Sequence, residues 1–279
     1  MDNVWDCIIV GGGSAGLSAE LYAAGRRELA AYPSVEKRTG EVVHAERVDD
    51  LFVLEQGDDR REGARRVLLA TGMEYRPPPL PGLAPLWGRS VFHCPFCHGW
   101  EVREQPLAAL ARGERAVHAA LMLRGWSDDI VLLTDGPADL EKLDRDRLTG
   151  AGVTIDERPV AELLGRDGEL TAIVFADGGR LERRGLLVAT TLHQRSRPAE
   201  QLGAGFADPS PLAVDGVRVD PLCRTTTPGV FAAGDVSTQV PQVAAAIAAG
   251  SLAATAVVQS LLAEDVGLPF PSWSARVDA

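Results

Sequence analysis

Asp6-Cys7-Ile8-Ile9-Val10 is an apolar run that stops at Gly11-Gly12-Gly13-Ser14-Ala15-Gly16, and a helix-forming stretch continues from Leu17 towards Ala31. Strand, G-x-G-x-x-G loop and helix in that order constrain this chain more than any other feature it carries. Gly11 allows the tight turn, Gly13 lets backbone approach a pyrophosphate, and Gly16 lets helix and strand pack closely. The helix N-terminus then presents free N–H groups and a positive dipole end to phosphate. Such a unit predicts an α/β domain that binds a dinucleotide. It also expects a second strand ending in Asp or Glu about 20 residues on, to hold a ribose hydroxyl. Glu36 stands near that distance, but Ser34–Val43 reads as a half-exposed strand leading into a meander, with Glu36 solvated on it. Either the domain is abbreviated or a segment near Ala19–Leu21 is absent from the chain.

From Val42 to Leu69 apolar and polar residues alternate, with turn signals at Asp49-Asp50 and Gly57-Asp58, the pattern of a small antiparallel meander. Val67–Leu69 then reads as a buried strand running into Ala70-Thr71-Gly72. Pro77–Gly82 is too rich in proline for helix or central strand and is expected as an extended loop. Pro106–Leu110, Ile130–Leu133 and Gly185–Thr190 are candidate strands of a second α/β unit, with a helix over Ala116–Arg124. Val230–Ala233 is a further strand ending in Gly234-Asp235, and Gln242–Ala263 an alanine-rich helix. The expected fold is α/β with two Rossmann-like domains of the three-layer ββα type. The first is split into 1–103 and 212–279, and 104–211 is inserted with a C-x-x-C at its entry. A chain of 279 residues, 46% of them hydrophobic, is large enough for both.

The chemistry points to Phe92-His93-Cys94-Pro95-Phe96-Cys97-His98-Gly99-Trp100. C-x-x-C spacing lets two sulfurs close a small disulfide ring, and His93 and His98 put a proton acceptor within a residue of each sulfur. The same residues could form half of a zinc site, but no second C-x-x-C or C-x-x-H accompanies them. An inert structural disulfide is the other bland reading. Cys7 reads as a small core residue, and Cys223 has no evident role. A net charge of -11 argues against nucleic-acid partners. No apolar stretch reads as long enough to cross a bilayer, and residues 1–6 lack the pattern of a secretion signal. The expected location is cytoplasmic, where paired cysteines are more often catalytic or metal-binding than structural.

In order along the chain, G-G-G-S-A-G at 11–16, A-T-G at 70–72, C-P-F-C-H-G at 94–99 and T-T-P-G-V-F-A-A-G-D at 226–235 make the sequence resemble the thioredoxin reductase-like FAD-dependent disulfide oxidoreductases. The resemblance implies that the split domain binds FAD. Gly11, Gly13, Ser14, Ala15 and Gly16 match the pyrophosphate loop, and Thr71 and Gly72 a turn near the cofactor. Gly234 and Asp235 match the turn whose carboxylate takes the ribityl chain, and Gln242 and Val243 the helix start beside the flavin's pyrimidine edge. It further implies that Cys94 exchanges with substrate, that Cys97 faces the flavin, and that the enzyme is a homodimer. NADPH-using members carry a second glycine loop and an arginine cluster. Here those positions read Leu110-Ala111-Arg112-Gly113-Glu114-Arg115 and Thr134-Asp135-Gly136-Pro137, whose carboxylates would repel a 2′-phosphate. That departure resembles the NADPH-independent dithiol oxidases of the gliotoxin and holomycin type, which pass electrons from a small dithiol to oxygen. The alternatives are an NADPH- or ferredoxin-dependent reductase of thioredoxin or a similar protein, and a non-catalytic flavin-binding redox sensor.

Overall fold

The computed structural model describes residues 4–11, 24–25, 27–237 and 241–271. The chain first builds β1 (Val4–Val10), β2 (Val42–Val48), β3 (Leu51–Gln56), β4 (Arg61–Leu69) and β5 (Met73–Arg76). Next come β6 (Val91–Phe92), α1 (Pro95–His98), β7 (Leu107–Leu110), α2 (Glu114–Leu123), β8 (Ile130–Leu133), α3 (Lys142–Gly150) and β9 (Val153–Asp156). After these follow β10 (Val160–Arg166), β11 (Glu169–Phe175), β12 (Arg180–Glu182) and β13 (Gly185–Val188). β14 (Thr191–Gln194), α4 (Pro198–Gln201), β15 (Val230–Ala232) and α5 (Val243–Val266) complete the chain. Two compact units result: Met1–Tyr75 with Leu192–Ala279, and Arg76–Thr191 between them in sequence.

In the first unit β4 is the pivot. It pairs in parallel with β1 along one edge, and along the other with β3 in antiparallel and then β15 in parallel. Val10 and Ala232 both stand opposite Leu69, so three parallel strands finish at one level. α5 covers one face of this sheet. Ala249, Ala253, Ala256 and Val257 pack on Leu68 and Phe231, and the small alanines let the helix lie close to the strands. The other face packs Phe52, Val67, Leu69 and Val230 against Ala199, Leu202 and Ala204. In the second unit β6-β13-β7-β8-β9 form an all-parallel sheet. β7, β8 and β13 are buried at all four residues, as a sheet covered on both faces requires. β10-β11-β12 form a separate antiparallel layer.

Three expectations are corrected. The units divide at Tyr75/Arg76 and Thr191/Leu192, not at 103/104 and 211/212. Val91 and Phe92 pair with Leu186 and Leu187, which builds the segment before residue 103 into the second sheet. Leu192, conversely, bridges Ala213, and Ala199 to Ala204 fill the first core. Ser34–Val43 is not a strand over most of its length, since β2 begins only at Val42. Glu36 is exposed, and its carboxylate takes a 2.5 Å bond from Arg38, which also holds Glu62. Finally, α5 is long and apolar enough to cross a bilayer by length and composition alone. Here its alanine face is built into the core of the first unit. Residues 12–16 of the glycine loop lie outside the described residues; of the helix expected after it, residues 24, 25 and 27–29 are helical.

Candidate active site

In the second unit the chain leaves β6 and turns at once into α1, a single helical turn with Cys94 as its extended N-cap residue and Pro95 opening it. A C-x-x-C sequence wound into one turn brings its two ends together. Cys97 donates its S–H to Cys94 Sγ at 3.0 Å, and both cysteines are free thiols. That separation exceeds the about 2.0 Å of a closed disulfide by roughly an ångström, so little motion separates the two redox states. Burial, then the bond and the charge of Cys94, and then Glu101 push the Cys97 thiol up to about 12. Cys97 therefore keeps its proton and donates it to Cys94.

The two histidines have different surroundings. His93 stacks on Trp87, with ring centroids 5.8 Å apart, and burial followed by the charge of His98 lowers it to about 4. It is a neutral ring and a weak base at neutral pH. His98 stacks on Phe92 at 5.7 Å, and its Nε2 lies 3.1 Å from the Gly88 carbonyl. A carbonyl only accepts, so Nε2 carries a hydrogen. Nδ1 is buried and has no hydrogen-bond partner among the described residues. Gly99 closes the turn. A Cβ there would collide with the Pro95 carbonyl and come within 2.6 Å of the Trp126 indole. Phe96 and Trp100 stand outward at 73% and 62% exposure, with the Arg103 guanidinium 3.9 Å over the Trp100 ring.

The loops that follow β7 and β8 in the same sheet are tied to one another. Arg112 bonds the Asp135 carboxylate at 2.9 Å, and Asp135 also accepts from the Val160 N–H at 2.8 Å. Arg115 is spent on the Thr190 carbonyl at 2.9 Å, and burial lowers its pKa.

In the first unit the three parallel strands deliver three turns to one edge. Gly11 follows β1 at φ +116°, and a Cβ on it would collide with the Ala70 carbonyl. Thr71 and Gly72 follow β4, and Gly234 and Asp235 follow β15, both glycines with positive φ. The edge beyond the carboxyl ends of parallel strands is where such sheets bind ligands. Asp235 is half-buried, which raises its pKa, and its Oδ2 accepts from the Tyr75 hydroxyl at 3.2 Å. Gln242 caps α5 and accepts from the Ala246 N–H at 2.9 Å; it and Val243 are exposed at the helix start. Among the described residues no group of His, Cys, Asp and Glu is arranged to hold a metal ion.

A profile of the pyridine nucleotide-disulphide oxidoreductase family matches residues 27–250. The chain belongs to this family. Among its relatives in the family are thioredoxin reductase aclD of Aspergillus oryzae, 27% identical over 311 residues that cover 92% of this chain and 96% of the relative. Thioredoxin reductase sirT of Leptosphaeria maculans is 32% identical over 220 residues, or 72% of this chain and 64% of the relative. Of solved structures, an oxidoreductase from Agrobacterium tumefaciens matches with TM-score 0.85 and 28% identity over 93% of this chain and 99% of its own. HlmI matches with TM-score 0.84 and 28% identity over 96% and 95%. The protein is thus an FAD-dependent disulfide oxidoreductase of the thioredoxin reductase-like kind. The first unit fits the cofactor: a glycine turn that excludes any Cβ, and a half-buried carboxylate at the same sheet edge. Tyr75, the Arg112–Asp135 tie and the Trp126 contact had no signal in the sequence, because each joins residues distant along the chain.

Proposed function

We propose that the protein is a dithiol oxidase that closes a disulfide in a small-molecule substrate, with oxygen as final acceptor. The observation that carries this reading is the tie between Arg112 and Asp135 at the position where an NADPH user needs free cations. The Cys94–Cys97 pair stands ready for two-electron exchange in the same unit. In the proposed cycle a substrate thiolate attacks the oxidised pair at Cys94, breaking the Cys94–Cys97 bond and forming a mixed disulfide. The second substrate thiol displaces Cys94, leaving the substrate oxidised by two electrons and Cys94 and Cys97 reduced. His98, one residue from Cys97, is the proposed base for the thiol proton, while His93 stays neutral and packs the turn. Bound FAD supplies the two-electron acceptor that regenerates the disulfide and gives oxygen its route to peroxide.

The relatives named thioredoxin reductases favour the second reading, a reductase that draws electrons from NADPH or ferredoxin and serves a thioredoxin-like protein. In both readings the family resemblance makes a homodimer the expected assembly. Anaerobic mixing separates the two. Under the first, dithiothreitol bleaches the flavin, NADPH does not, and Cys97→Ser abolishes the bleaching. Rapid bleaching by NADPH overturns it. Oxygen consumption with small dithiols, absent with reduced thioredoxin, completes the test.

A further inference from the structure

Asp235 leaves its turn with one carboxylate oxygen already engaged. Tyr75, on β5 just beyond the Thr71-Gly72 turn, donates its phenol hydrogen to Oδ2 at 3.2 Å. The backbone of the Asp235 turn is held by other means. Ser237 Oγ donates to the Gly234 carbonyl at 2.8 Å, and Gln194 Nε2 donates to the carbonyls of Asp215 at 2.9 Å and Val236 at 3.3 Å. In this turn Tyr75 therefore holds the carboxylate, while Ser237 and Gln194 hold the backbone. We propose that Tyr75 is the positioning residue that orients the Asp235 carboxylate, leaving Oδ1 to accept from the hydroxyl chain of the flavin cofactor. This rests on the assignment of FAD to the first unit. The phenol has a second effect in the same direction. Burial favours the neutral acid at Asp235, and the Tyr75 bond is the largest influence opposing it. A neutral carboxyl would offer the cofactor a weaker acceptor.

The test is a double-mutant cycle on cofactor affinity, read by quenching of FAD fluorescence on titration into full-length apoprotein. Tyr75→Phe keeps the ring and removes only the donor. The bond exists with and without cofactor, so only its effect on the Asp235 carboxylate counts, and Tyr75→Phe is expected to weaken FAD about tenfold, a coupling of the size found between groups in one hydrogen-bond network. In an Asp235→Ala background the same change is expected to cost less than about twofold, because the acceptor through which Tyr75 acts is gone. Wild-type affinity in Tyr75→Phe overturns the proposal. So does an equal loss in both backgrounds, which is the mark of a general structural effect. Thermal melting of the apoproteins by circular dichroism reports folding independently of the cofactor. Failure of the wild-type protein to bind FAD sinks the cofactor assignment itself, and that result comes before any variant is compared.

Discussion

His93 and His98 flank the same pair of sulfurs and are indistinguishable in the sequence; burial, stacking and hydrogen bonding separate them. Burial holds His93 at about 4, well below the ordinary 6.5. Between those two values the unfolded chain binds a proton that the folded chain refuses, so stability falls as pH drops through this window. Chemical denaturation at pH 7 and pH 4.5 should show wild type losing more stability than His93→Gln. The excess should be about 1–3 kcal/mol, a figure reduced for the ring's partial exposure. An equal loss in the two proteins would mean that His93 is not held neutral. Gly99 gives a second residue-scale prediction. Its role was invisible in the sequence because it depends on Trp126, 27 positions away in the chain. Gly99→Ala must displace the indole or the turn, and overpacking of this kind costs about 1–3 kcal/mol. The thermal midpoint of Gly99→Ala should fall, and Trp126→Ala, which removes the contacted ring atoms, should lower it less in the Gly99→Ala background than in wild type. The spacing of Cys94 and Cys97 was legible because it is local. Which sulfur keeps its proton was not, since that depends on burial.

At the scale of elements, β1, β4 and β15 could be read because each is a short apolar run ending at a glycine-bearing turn, a signal carried within one segment. Their alignment at Val10, Leu69 and Ala232 could not, since register depends on pairings between distant segments. The strand expected over Ser34–Val43 failed for a related reason. Alternation predicts a strand only where a neighbour accepts its hydrogen bonds, and there Arg38 instead ties the chain through Glu36 and Glu62. α5 shows composition misleading in another way. Its apolar content suits a bilayer, yet the alanines form a close-packed face against β4 and β15. Ala253 is fully buried in that face. Ala253→Leu should lift the helix from the strands at a cost of about 1–3 kcal/mol in urea denaturation. Both strands end in turns of the proposed FAD site, so the same variant should also release FAD faster, measured by flavin fluorescence after dilution. Loss of stability with unchanged FAD release would disconnect the helix face from the sheet edge.

For the whole molecule, the sequence made the insertion of one unit into another legible, because the strand-ending motifs near the two ends of the chain belong to one fold. The crossing points were displaced by 28 and 20 residues, since the hydrogen-bond partners of Val91 and Leu192 decide which core each segment joins. The match to aclD runs over 311 residues, more than the 279 of this chain, so the alignment includes segments of the relative with no counterpart here. Two units with separate cores imply two cooperative transitions, and FAD tells them apart. A ligand that binds only the folded first unit stabilises that unit by RT ln(1 + [L]/Kd), about 2.7 kcal/mol at a free concentration of 100 Kd. Gly99→Ala and His93→Gln act in the second unit and leave the first core untouched. Scanning calorimetry of the apoprotein should therefore show two endotherms. Added FAD should raise one of them by several degrees, and Gly99→Ala should lower the other. One endotherm that responds to both changes together would show that the units unfold as one, and that the cofactor stabilises the thiol turn as strongly as its own sheet.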